Sequence, residues 1–73
     1  MNTLLIEKIN ERLVVLETEK EHLKREIRDI ESKKDDLDYT LYCQTFMILS
    51  TKLVETKSKM AELNVVINII QKS

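Results

Sequence analysis

The chain lacks residue types on which many folds and many active sites depend. It contains no glycine, no proline and no tryptophan. Glycine and proline form most tight turns, and glycine-rich loops hold phosphates, so these absences argue against sheet folds and against nucleotide-binding loops. A length of 73 residues leaves room for one small domain. We therefore expect a single all-α unit.

An excess of charge, a long apolar run and a cysteine pair are also missing. The 12 basic and 13 acidic residues nearly cancel, which gives no electrostatic reason to expect nucleic acid or an anionic membrane as a partner. The longest uncharged run, residues 39–51, is too short to span a bilayer, and residues 1–6 carry no basic segment of the kind that opens a signal peptide. Cys43 is the only cysteine, which fits a reducing compartment. We expect a cytoplasmic protein with no membrane span.

Apolar residues recur with coiled-coil spacing in two segments. The first seam alternates steps of three and four residues and includes Lys20 as a polar member; its apolar members are Ile6, Ile9, Leu13, Leu16, Leu23, Ile27 and Ile30. The second segment has the same alternation, with Thr56 as a milder interruption; its other members are Tyr42, Phe46, Leu49, Leu53, Met60, Leu63, Ile67 and Ile70. This is the a/d pattern of packed helices.

The two seams are out of phase, which predicts a break between them. The offset is two residues, whereas a continuous coiled coil usually absorbs insertions of three or four. The lysines at 33 and 34 are typical of a helix C-terminus, and the aspartates at 35, 36 and 38 are typical of the start of the next helix.

We predict an antiparallel two-helix coiled-coil hairpin. Helix 1 covers about 2–33, the turn about 34–37 and helix 2 about 38–71. This pairing sets residues 4–16 beside residues 60–70, and both stretches are strongly apolar. The lack of a glycine after helix 1 leaves a bent continuous helix as the alternative.

Helix 2 carries more apolar surface than one neighbour can cover. Outside its seam, a second apolar stripe comprises Met47, Ile48, Val54, Ala61, Val65, Val66 and Ile69. A helix that is apolar on two faces normally packs between two neighbours, and helix 1 supplies only one of them. We predict that these residues bind a partner: a helical segment of another protein, a second copy of the chain in a helical bundle, or both.

Other residue groups suggest chemistry less strongly. Glu19 and His22 have the Glu-x-x-His spacing of di-iron carboxylate bundles, but the heptad places His22 toward solvent, so we expect no metal and no other cofactor. The basic residues of helix 1 alternate with acidic ones, which favours a solvated helix face with i,i+4 pairs such as Glu21–Arg25 and Asp29–Lys33 over a nucleic-acid surface.

No arrangement of residues predicts catalysis. No nucleophile stands beside a base, and Cys43 has no histidine or basic residue within a helical turn on its own helix. Tyr39, Tyr42 and Phe46 favour a cap on the core near the turn, with anchoring of a partner as the alternative. We expect neither enzyme activity nor a small-molecule substrate.

The end of helix 2 resembles a known family. The stretch of residues 60–70, MAELNVVINII, closing a short chain of two helices, is similar to the end of the small helical-hairpin co-chaperones of type III secretion needle subunits. In that family the hairpin joins a second, repeat-helix chaperone, and the pair shields the hydrophobic C-terminal helix of the needle protein until export. The resemblance implies that the apolar face of residues 60–70 meets a partner.

We therefore expect a non-enzymatic interaction module, an adaptor or co-chaperone, that buries an apolar face of helix 2 against a partner. Two alternatives stay open at the level of the sequence. One is a self-assembling structural coiled coil without a separate client, and the other is a small transcriptional regulator.

Overall fold

Two long helices account for most of the chain. A computed structural model describes residues 3–72. Helix α1 spans Thr3–Ser32, a short 3₁₀ helix spans Lys34–Asp36, and helix α2 spans Tyr39–Lys72. Helix α1 ends one residue before its predicted end, and α2 begins and ends one residue later than predicted. The predicted start of the first helix at residue 2 lies outside the described residues.

The helices fold back on each other as a hairpin. Helices of 30 and 34 residues placed end to end would reach about 95 Å. The molecule is only 55 Å long, with transverse extents of 14 and 11 Å. The all-α hairpin is therefore confirmed, and the alternative of one bent continuous helix is wrong.

The connection reverses the chain without a left-handed residue. No described residue has a positive φ angle. The backbone N–H of Lys33 donates to the carbonyls of Asp29 and Ile30, at 3.2 and 3.1 Å, and Leu37 then adopts an extended conformation with φ −103° and ψ 150°. A 3₁₀ turn followed by extended backbone thus replaces the glycine-dependent helix ending, which is why the absence of glycine does not prevent the turn.

Asp38 is the N-cap of α2. Its Oδ2 accepts a hydrogen bond from the backbone N–H of Leu41 at 3.3 Å, and its carbonyl accepts one from Tyr42 at 2.9 Å. Asp35 and Asp36 lie in the 3₁₀ helix, and the first turn of α2 contains no acidic residue. Of the three aspartates expected to start the second helix, only Asp38 supplies a cap.

The predicted seams form the core. Every seam residue is buried or half-buried, and the most buried residues of the described chain all occupy d positions: Ile9, Leu16, Leu49 and Thr56. Leu16, at 1% exposure, is the most enclosed side chain. The Thr56 hydroxyl donates to the carbonyl of Lys52 at 2.9 Å, so its polar atom is satisfied inside its own helix.

Lys20 is the polar member of the α1 seam. Its neighbours Glu19, His22 and Leu23 line one interhelical groove together with Thr56 of α2. Lys20 is half-buried, and its ammonium group reaches the carboxylate of Glu17 at 2.9 Å. The aliphatic part of the Lys20 side chain therefore covers the core, while its ammonium group lies outside the core.

Candidate partner-binding surface

The second apolar stripe predicted for helix 2 is exposed along its whole length. We call its seven residues the outer face of α2: Met47, Ile48, Val54, Ala61, Val65, Val66 and Ile69. Met47 is 68% exposed, Val54 63% and Ile69 62%, values typical of residues that contact nothing beyond their own helix. The hairpin leaves this face uncovered, because α1 packs on the opposite side of α2.

Two hydroxyl residues turn part of this face into a regular heptad seam. Thr51 and Ser58, both exposed, fall between the apolar residues, so that steps of four and three alternate without a gap. We call this set the outer seam: Met47, Thr51, Val54, Ser58, Ala61 and Val65. Hydrophobicity alone does not identify Thr51 and Ser58 as members of this seam, whereas the alternation of steps does.

The outer seam has larger side chains toward its ends and smaller ones in the middle. A shallow depression near its N-terminal end is lined by Met47, Ile48, Thr51, Lys52 and Glu55. In the middle, Ser58 and Ala61 keep the surface low, which allows the backbone of a partner helix to approach closely. The seam itself carries no charge from residue 47 to residue 65.

The edges of the outer seam carry charges of opposite sign. On the helical wheel, Glu55 and Glu62 lie along one edge and Lys57 lies along the other. All salt bridges among the described residues lie in α1 or at its C-terminal end, namely Lys20–Glu17, His22–Glu26, Lys24–Glu21 and Lys33–Asp29. The charges of α2 thus form no salt bridge in the described hairpin, whereas those of α1 pair locally.

The open end of the hairpin exposes apolar side chains of both helices. Leu4 and Val14 of α1 are 65% and 66% exposed, and Val65 and Val66 of α2 are exposed as well. The two apolar stretches face each other only through their seam residues. The predicted pairing of residues 4–16 with residues 60–70 thus leaves the apolar side chains outside the seams exposed.

Aromatic residues cap the core near the turn. Tyr42 and Phe46 are half-buried with ring centroids 5.9 Å apart, and the ammonium group of Lys34 lies 5.9 Å from the centre of the Tyr42 ring. Tyr39 is 75% exposed and takes no part in this cap. The pKa of the Tyr39 phenol is raised above its ordinary value of 10.0. The main cause is a hydrogen bond with Cys43, and the second is the electrostatic interaction with the Cys43 thiol.

The Glu-x-x-His pair does not form a site with a third ligand. The Nε2 atom of His22 lies 2.6 Å from Oε1 of Glu26, one helical turn onward, and the His22 side chain is 63% exposed. No group of three metal-binding side chains occurs among residues 3–72. Glu19 instead lines the interhelical groove opposite Lys52 and Lys59 of α2.

Local pairing neutralises part of the basic surface of α1. Lys24 lies 3.8 Å from Glu21, so the predicted Glu21–Arg25 pair is replaced by a contact one residue closer. The predicted Asp29–Lys33 pair forms at 3.2 Å. Lys20, Lys24 and Lys33 therefore stand beside carboxylates, which would repel a phosphate backbone.

Neither helix contains a segment long and apolar enough to cross a membrane, within the residues described. Comparison with known protein families, with curated proteins and with solved structures finds no match to this chain.

Proposed function

We propose that this chain is a non-enzymatic protein–protein interaction module, an adaptor or co-chaperone, that buries the outer face of α2 against a partner helix. The observation that carries the proposal is an uncharged heptad seam, exposed along its length, on the far side of α2 from α1. An amphipathic helix laid against such a surface is a recurring mode of peptide recognition.

The dimensions of the molecule support association. Its accessible surface is 5687 Å², whereas a globular monomer of 8.6 kDa exposes about 4,700 Å². The excess of about 1,000 Å² is similar to the area of roughly 800 Å² that each partner buries in a standard interface. The radius of gyration, 16.6 Å, likewise exceeds the value of about 11 Å for a compact chain of this length.

The test replaces Val54 and Val65 with aspartate and follows association by light scattering. Both side chains are exposed, so helical content measured by circular dichroism should stay nearly unchanged, while association should be lost because a charge enters the seam. Val14→Asp is the matched control, because Val14 is 66% exposed on the other helix. If the wild-type chain associates, equal association of the double variant and the control would contradict the proposal.

The class of client comes from the resemblance of residues 60–70 alone. From this resemblance, the proposed client is the needle subunit of a type III secretion system, and a second chaperone is the proposed co-partner. The proposed location is the cytoplasm. Co-purification of a needle subunit with the wild-type chain, and its loss with Val65→Asp, would support this assignment. Retention of the subunit by the variant would contradict it.

A further inference from the structure

We infer that the outer seam of α2 packs against the outer seam of a second copy of this chain, with the two α2 helices parallel. The inference deepens the proposed function, on which it rests, by naming what covers the outer face of α2 when no client is bound, and in which orientation.

Among the described surfaces of the chain, the outer seam best matches itself. The exposed side of α1 is rich in charge, including Glu7, Glu11, Arg25 and Arg28, so it offers no continuous apolar stripe to a neighbour. The outer seam runs uncharged from Met47 to Val65, and Gln44 and Asn68 extend the same spacing at its two ends without adding charge. Two such seams brought together bury no charged side chain.

The edge charges select the parallel orientation. In a parallel coiled coil, a residue at g on one helix meets a residue at e on the other, and these contacts set partner and orientation. In the outer seam, Lys57 occupies the g-like edge and Glu62 occupies the e-like edge at the required spacing. A parallel pair therefore forms two symmetric Lys57–Glu62 contacts between copies, and Glu55 meets Ser50.

The antiparallel orientation is disfavoured by the same charges. In an antiparallel pair, each edge of the seam meets the same edge of the other helix. In the antiparallel pair centred on the outer seam, Glu55 and Lys57 would then each face its own equivalent on the second copy. Like charges in these positions destabilise a helix pair, since no compensating charge lies on either edge.

The residues needed for this interface are accessible. Lys57 and Glu62 are exposed and form no salt bridge among the described residues. They lie too far apart around α2 to contact each other within one copy, because five residues rotate the helix by about 140°. The surface that the hairpin exposes in excess, about 1,000 Å², matches what each copy of a stable dimer buries.

A charge-exchange experiment tests the contact. Lys57→Glu and Glu62→Lys should each raise the dissociation constant of the dimer about tenfold, since each turns two attractive contacts into repulsive ones. The double variant should return close to the wild-type constant. Sedimentation equilibrium measures all four proteins, and helical content checks that each hairpin is folded. Failure of the double variant to recover would overturn the parallel contact.

The single native cysteine reports orientation independently. A spin label on Cys43 should lie less than about 20 Å from its equivalent in a parallel dimer, and roughly 40 Å away in an antiparallel dimer centred on the outer seam. Double electron–electron resonance measures this distance. The mass of the labelled protein in solution is measured first, to check that it is a dimer. A distance near 40 Å would overturn the parallel arrangement while leaving the outer face as an interface.

The occupant is tested by mass and by a hydrophobic dye. A dimer that Val54→Asp converts to a monomer supports the inference, whereas a dimer that ignores this change uses another surface and overturns it. A wild-type monomer at about 200 µM would also overturn the second copy. If the wild-type chain is a monomer, its binding of the hydrophobic dye anilinonaphthalene sulfonate is compared with that of Val54→Asp. Weaker dye binding by the variant leaves the proposed function standing, with a helix of another protein as the partner. Equal dye binding by the two proteins means that the proposed function fails too.

Discussion

At the scale of single residues, the seam tolerates two polar side chains because each one satisfies itself locally. Thr56 is 7% exposed and donates to the carbonyl of Lys52. Lys20 is half-buried in the seam of α1, and its ammonium group reaches Glu17. These two polar positions stabilise the hairpin less than apolar residues would. One polar position in an apolar seam often fixes alignment at some cost in stability.

Replacing Lys20 with leucine should stabilise the hairpin. The Lys20 side chain is only 20% exposed, so leucine would bury apolar surface there and raise the free energy of unfolding by about 1–2 kcal/mol. Urea denaturation at a fixed protein concentration measures the change. Lys8→Leu is the control, because Lys8 is exposed on the same helix and should shift stability by less than about 0.5 kcal/mol. Equal effects of the two substitutions would contradict this account.

At the scale of secondary-structure elements, the two helices differ in how they are stabilised. Helix α1 has a charged outer surface with local salt bridges, and its apolar side is largely limited to the seam over most of its length. Helix α2 has seams on two sides and no salt bridge within the described hairpin. The stability of α2 therefore depends on its N-cap and on tertiary packing more than the stability of α1 does.

Removing the cap of α2 should therefore be costly. Asp38→Ala deletes the side chain that accepts the hydrogen bond from Leu41 and should lower the free energy of unfolding by about 1 kcal/mol. Thermal or urea denaturation measures the loss. Asp35→Ala removes an exposed carboxylate of the same turn that makes no cap contact, so its effect should stay within about 0.5 kcal/mol. An Asp35 variant as unstable as the Asp38 variant would refute the assignment of the cap.

At the scale of the whole molecule, the hairpin is long and thin, with a narrow core. Its transverse extents are 14 and 11 Å, and within residues 3–72 only three apolar residues are buried: Ile9, Leu16 and Leu49. A second hairpin packed on α2 would turn a two-helix layer into a four-helix assembly and cover α2 on both sides. Association and folding stability should therefore be linked.

The melting temperature should depend on protein concentration. If a second copy covers the outer seam, raising the concentration from about 5 to 500 µM should raise the melting temperature by roughly 5–10 °C by mass action. Val54→Asp should melt at one temperature over the same range. Circular dichroism at several path lengths measures both proteins. A wild-type melting temperature independent of concentration would contradict association through this surface.

Most of the fold could be predicted from residue spacing alone. The alternation of three and four identified all the buried seam positions, including the polar ones at Lys20 and Thr56, because helical periodicity is a local property of the chain. The phase change between the seams located the turn. Its form could not be predicted, since a 3₁₀ turn and an extended Leu37 replace the glycine ending that sequence rules expect.

The exposed apolar residues could be predicted only in part. The stripe on α2 was visible in the sequence, because its spacing differs from that of the seam. The exposure of Leu4 and Val14 could not be predicted from the sequence, because it depends on how much of each helix surface the other helix covers. Thr51 and Ser58 are identified as part of the outer seam by their heptad spacing and not by hydrophobicity.

The sequence by itself determined that two helices form, where each begins and ends within about a residue at the described ends, and which side of each faces the other. These properties follow from local spacing and from backbone preferences. Only the tertiary structure decided that the chain folds back instead of continuing as one bent helix, that Thr56 shares an interhelical groove with Glu19, His22 and Leu23, and that Leu4 and Val14 stay exposed. Each of these depends on the relative placement of residues distant in the chain, which local spacing does not specify.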